Sequence, residues 1–106
     1  MANESFLAQL WATIESRKAV GGPEKSYTRE LLGNPSKARK KVAEEAHEVN
    51  EAHQALLAGH DTKDHLAQEA ADLIYHLFVV LASADVTPSE VYSVLESRHG
   101  QKPRRT

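Results

Sequence analysis

The chain contains no cysteine. Disulfides, thiolate zinc sites and thiol nucleophiles are therefore excluded. Aromatic residues are scarce, six in 106, so any core must be built mainly from Leu, Val, Ile and Ala. A domain of this length buries roughly 65% of its unfolded surface, and so thin a core gains stability from a partner subunit. A basic excess is missing as well: 13 Lys and Arg stand against 15 Asp and Glu, for a net charge of −2. That leaves no electrostatic footprint for a nucleic-acid partner. The longest apolar run, Leu77–Ala82, is far short of the ~20 residues that cross a bilayer. The N-terminal stretch MANESFLAQLW has no basic region ahead of a long apolar segment, so it does not read as a signal peptide. The expectation is a cytoplasmic protein with neither membrane nor nucleic-acid partner.

No segment alternates like a strand, and no internal repeat is visible. Helical periodicity is present instead. Phe6, Leu7, Leu10, Trp11 and Ile14 share one face of a helix expected over about 5–20, which Gly21-Gly22-Pro23 ends. A loop over 24–28 leads to a short helical turn at 29–32, broken by Gly33-Asn34-Pro35. A second long helix is expected over 36–58, with Gly59 at its C-cap, and a third over 62–84, opened by Asp61 or Thr62. Thr87, Pro88 and Glu90 form a cap, a first-turn proline and a capping box for a last helix ending near 98–100. The fold class is all-α: a compact bundle of four to five helices in one domain over residues 1–100, with a basic, flexible tail at 101–106. The third long helix carries a stripe of Leu66, Ala70, Leu73, Leu77 and Val80, yet Tyr75, Phe78 and Val79 are apolar on other faces. A helix apolar nearly all round is covered on several sides, and a homodimer packed through it is expected.

Two pairs of acidic residues carry the chemical signal: Glu45 with Glu48, and Glu69 with Asp72. Residues three apart lie roughly 60° apart around a helix, so each pair projects from one side. Each borders its apolar stripe; on the second long helix that stripe is Ala38, Val42, Ala46, Val49 and Leu56. The short 59–61 linker makes the two helices an antiparallel hairpin, in which the four carboxylates can converge. Such a cluster repels itself unless a cation joins it, and an all-oxygen donor set suits Mg²⁺ or Mn²⁺ rather than Zn²⁺. The competing reading is a solvated acidic face.

Lys37 and Lys41 precede Glu45 by two turns and one turn on the same flank. Lysines beside a divalent cation hold polyphosphates; the plainer reading is a local Lys–Glu pair. His76 shares the flank of Glu69 and Asp72, as a group behind the ligands, a substrate contact or a packing residue. His47 and Glu51 point to the surface, and His53 falls on the core side. His60, His65 and His99 sit near helix ends and carry no signal.

The run Glu44-Glu45-Ala46-His47-Glu48 followed by Glu69-Ala70-Ala71-Asp72 resembles the all-α NTP pyrophosphatase superfamily. Within it, Ser26-Tyr27-Thr28 with Leu31-Leu32, Lys40-Lys41 ahead of the acidic run, Asp72-Leu73-Ile74-Tyr75-His76 and the last helix with Val91, Leu95 and Arg98 are similar to the phosphoribosyl-ATP pyrophosphohydrolase family. The resemblance spans about residues 5–100. It implies Mg²⁺-dependent hydrolysis of phosphoribosyl-ATP to phosphoribosyl-AMP and pyrophosphate, the second step of histidine biosynthesis, by a helical oligomer, typically a dimer. Carried over by position, it implies Glu45, Glu48, Glu69 and Asp72 as metal ligands, with Glu44 or Glu45 orienting the water. Lys41, Lys37, Tyr27, Thr28, His76 and Arg98 are the candidate substrate contacts. Two departures stand out: Ala43 where the family often has Gly, and the polar run Asn50-Glu51 after Val49 where it is commonly apolar. The alternatives are a housekeeping NTP pyrophosphatase of the same superfamily and a non-catalytic helical interaction module. A ferritin-like di-metal protein needs two E-x-x-H motifs. Glu44–His47 and Glu96–His99 have that spacing here, but neither Glu69 nor Asp72 of the acidic pairs has a His three residues on.

Overall fold

A computed structural model describes residues 2–18 and 26–100, with side chains from residue 6 onward. The Gly21-Gly22-Pro23 break and the 101–106 tail lie outside the described residues. Within them the chain forms α1 (Ala2–Ser16), α2 (Tyr27–Leu32), α3 (Pro35–Leu57), α4 (Lys63–Ser83) and α5 (Pro88–Arg98), and no strand. The all-α expectation holds.

Local chemistry sets the boundaries. α1 ends at Ser16, four residues before its expected end: the Arg17 and Lys18 amides donate three residues back, to Ile14 and Glu15, and tighten the chain into a turn. Ser26 caps α2, its hydroxyl accepting the Arg29 amide at 3.2 Å. Tyr27 and Thr28 are therefore helical rather than part of a loop, because the capping serine moves the start two residues earlier. Asn34 caps α3 by accepting the Lys37 amide, with Pro35 in the first turn. Gly59 follows the C-cap at φ 81°, while the His60 amide reaches Ala55 O and the Gly59 amide reaches Leu56 O. This is a Schellman ending, which glycine accommodates without strain. α4 ends in the same pattern, with the Val86 amide on Leu81 O and the Asp85 amide on Ala82 O. There the left-handed residue is Asp85, at φ 57°. Thr87 and Glu90 form the expected capping box.

α3 packs along α4 more extensively than any other pair of helices does, as an antiparallel hairpin joined by residues 58–62. The core lies toward one end of it, where Ile14, Leu31, Ala38, Phe78, Val79 and Ala82 form one buried cluster. Leu7, Leu10, Trp11, Leu32 and Tyr75 close around it, with Trp11 edge-on to Phe78 at 5.8 Å. Alanines at Ala38 and Ala82, both fully buried, leave room for the helices to approach closely.

The buried face of α4 is thus His76, Phe78, Val79 and Ala82. The stripe read from periodicity lies beside it: Leu77 is 41% exposed, and Leu66, Ala70, Leu73 and Val80 are half-buried. α4 also has the length and apolar content to cross a bilayer, although its uninterrupted apolar run is short. Its buried residues face the other helices, and Glu69 and Asp72 stand in its middle, where a bilayer would charge most for them. His53, expected on the core side, is exposed, because the neighbouring Ala52 takes the buried position.

Candidate metal centre

Glu45 and Glu48 project one turn apart from the middle of α3, and Glu69 projects from α4. The antiparallel hairpin brings an oxygen of each within 4.8 Å of the other two. Glu45 is the most enclosed, with its side chain 12% exposed. Burial foremost, then the carboxylates of Glu48, Asp72 and Glu69, push its pKa above the ordinary carboxylate value. Glu69 is pushed in the same direction, first by the Glu48 carboxylate beside it and then by burial, while His65 pulls the other way. One Glu69 oxygen, Oε2, is shielded from solvent and has no hydrogen-bond donor. A buried acceptor without a donor is costly. Together with the mutual repulsion, it makes this set of hard oxygen donors one that could hold a metal cation.

Asp72 lies one turn after Glu69 and is exposed. It is outside the tight group of three, but its charge is felt at Glu45. Glu44, 41% exposed, lies 3.9 Å from the Lys41 ammonium. Both line an open basin of about 440 Å³ with Asn34, Ser36, Lys37 and Lys40. Lys37 is partly engaged: its ammonium hydrogen-bonds Glu30 and lies 6.0 Å from the Tyr27 ring centroid.

His76 stands behind Glu45. It is 7% exposed, and its Nδ1 is 3.0 Å from the Asp72 carbonyl and 3.2 Å from Glu45 Oε1. The Asp72 carbonyl can only accept, so Nδ1 carries a proton, and Nε2 shares a hydrogen bond with the Tyr27 hydroxyl at 3.0 Å. The Thr28 hydroxyl is hydrogen-bonded to the Tyr75 hydroxyl, and the Tyr27 and Tyr75 rings stack at 6.3 Å. Tyr27 and Thr28 therefore fasten α2 to α4, and Tyr27 touches the carboxylate site from behind through His76. Arg98 lies exposed in the last turn of α5, and among the described residues no contact joins it to the cluster. His47 is exposed and 3.3 Å from Glu51, at the surface.

One residue at the site carried no sequence signal. His65 bridges two acids, with Nδ1 2.7 Å from Asp61 Oδ2 and Nε2 3.2 Å from Glu69 Oε1. The spacing of four between Asp61, His65 and Glu69 is the pattern that could have found it.

The model of the family described as phosphoribosyl-ATP pyrophosphohydrolase matches residues 7–99. The chain belongs to that family. It is 46% identical to a protein of Cereibacter sphaeroides named phosphoribosyl-ATP pyrophosphatase, over 91% of this chain and 88% of the relative. Relatives of the same name from Caulobacter sp. and Jannaschia sp. are each 44% identical, over 89% of this chain and 82% and 87% of their own lengths. The carboxylates, the lysine basin and the Tyr27–His76 contact all fall within the matched span.

Proposed function

We propose that this chain hydrolyses phosphoribosyl-ATP to phosphoribosyl-AMP and pyrophosphate, the second step of histidine biosynthesis. Glu45, Glu48, Glu69 and Asp72 hold Mg²⁺, for which Mn²⁺ can substitute. The observation that carries the reading is the convergence of Glu45, Glu48 and Glu69 within 4.8 Å in a chain of this family. Bound Mg²⁺ supplies charge neutralisation for the departing pyrophosphate.

The remaining work falls to the chain's own residues. Lys41 and Lys37, with Lys40 beside them in the basin, bind phosphate oxygens electrostatically. Glu44 faces that basin and Glu45 the cluster; these two are the candidates to orient the water that attacks the α-phosphorus, while pyrophosphate leaves with its oxygen. Tyr27 and Thr28 border the substrate from α2, and His76 serves by holding Glu45. Arg98, exposed in the last turn of α5, is the candidate to reach a phosphate from outside the cluster. A second copy covers the apolar faces that a single chain leaves open, including Ile74 and Leu77 of α4, each 41% exposed. The enzyme works in the cytoplasm, where a polyanionic nucleotide is retained.

Pyrophosphate release from phosphoribosyl-ATP, measured with Mg²⁺ and with EDTA beside ordinary NTPs, tests the reading. Release from phosphoribosyl-ATP alone, lost in EDTA, supports it. Release mainly from the NTPs moves the chain to the housekeeping branch, and silence on all substrates refutes it. Glu48→Gln and Asp72→Asn should leave folding intact and abolish the Mg²⁺-dependent turnover; near-normal rates in both would remove those residues from the ligand set.

A further inference from the structure

We infer that Asp61 and His65 form a relay that holds Glu69 in place as a ligand for the divalent cation. The inference rests on the metal site proposed above and assigns positioning roles to two residues outside it.

Glu69 needs a tether. Its long side chain has several rotamers, and Glu45 and Glu48 repel it from the position it occupies. The two Glu69 oxygens have different surroundings. Oε1 lies 3.2 Å from His65 Nε2, whereas Oε2 is buried without a donor. With one oxygen anchored, the other is kept available to a cation.

The anchor is itself held. His65 Nδ1 lies 2.7 Å from Asp61 Oδ2, and the other Asp61 oxygen accepts the Thr62 amide at 2.8 Å. Thr62 is the N-cap of α4, and its hydroxyl accepts the His65 amide at 3.1 Å. The relay thus grows out of a capped helix start, where the backbone is well fixed. Spacings of four place Asp61, His65 and Glu69 on one face, and all three line an open depression with Glu48. Hydrogen-bonded partners outside a metal site orient its ligands in this way, and losing one weakens metal affinity by about 10–100-fold.

The test is Mn²⁺ binding, followed by the electron paramagnetic resonance signal of the free ion, on wild type, His65→Ala, His65→Gln and Asp61→Asn. Thermal stability in EDTA is measured in parallel. His65→Ala should weaken Mn²⁺ binding by about 10–100-fold while its melting temperature in EDTA moves little, since the side chain is 48% exposed. His65→Gln should recover part of the affinity, because its amide can donate to Glu69 from the same position. Asp61→Asn should show a smaller loss of the same kind. In turnover, the Mg²⁺ concentration at half-maximal rate should rise with kcat at saturating Mg²⁺ retained, whereas a general structural lesion would lower kcat too. Unchanged Mn²⁺ affinity in His65→Ala beside normal wild-type binding overturns the relay and leaves the metal site standing. Absence of Mn²⁺ binding in the wild type overturns both.

Discussion

Replacing Glu45 by Gln should make the protein more stable without metal and less stable with it. The carboxylate oxygens of Glu45, Glu48 and Glu69 lie within 4.8 Å of one another. Two unit charges at such a separation repel by roughly 1 kcal/mol in water and roughly 3–4 kcal/mol at an effective dielectric constant of about 20. Glu45, 12% exposed, feels a medium between these limits. Proton uptake limits the repulsion, since burial and the neighbouring acids raise the Glu45 pKa. A glutamine keeps the oxygen beside His76 and removes the charge, so a net gain of about 1–2 kcal/mol is expected. In a domain of this size each kcal/mol moves the melting temperature by about 4–8 °C.

The pH dependence has a definite sign. A carboxylate whose folded pKa is raised binds its proton more tightly in the folded state. Its contribution is fully present below the unfolded value, near 4.5, and is lost as pH rises through the folded value. Metal-free wild type should therefore weaken as pH rises above 4.5, and the advantage of Glu45→Gln should be largest at pH 8 and vanish toward pH 4. Mg²⁺ reverses the order, because a ligand at a hundredfold its dissociation constant stabilises the wild type by about 2.7 kcal/mol. Thermal melts of both proteins in EDTA and in Mg²⁺, at pH 5 and pH 8, check this. A Glu45→Gln protein less stable than wild type in EDTA at pH 8 would refute the repulsion argument.

Other expectations follow from the same contacts. Leu31, fully buried in the core cluster between α1, α3 and α4, should cost about 2–5 kcal/mol when cut to Ala, read from urea unfolding. Asp85 sits at φ 57° and pairs with Lys18 at 2.7 Å from a largely exposed position. Asp85→Gly should hold or raise the melting temperature by relieving the left-handed backbone, whereas Asp85→Ala should lower it, because Ala keeps the strain and loses the pair. Leu77→Asp, on the open face of α4, should shift sedimentation toward monomer; an unchanged sedimentation coefficient would move the proposed dimer interface elsewhere.

The parts of this molecule legible in its sequence are those decided within a few residues. Caps and breaks gave α3, α4 and α5 to within a residue or two, because Thr62, Thr87-Pro88 and Gly59 act on their own turn of helix. The acidic pairs were visible for the same reason, since a spacing of three sets a shared side whatever lies opposite. The buried face of α4 was not visible. A helix apolar nearly all round has no dominant stripe, so burial of Phe78 and Val79 rather than Leu77 is settled by where α1 and α2 land.

The histidines separate the two kinds of information most clearly. His53 lay on the expected core side, yet Ala52 holds the buried position and leaves the ring outside. His76 owes its place to Tyr27, 49 residues away, and to Glu45 on the facing helix. No local pattern distinguishes such a ring from one that merely packs. His65 is the converse case: its partners Asp61 and Glu69 are each four residues away, so the bridge was within reach of a spacing argument. Position near a helix end carried no signal of its own, and the bridge gains its meaning from α3. Glu48 and Glu45 make the Glu69 carboxylate an unwilling neighbour, and only then does a histidine fastened to the start of α4 become a device for keeping it there.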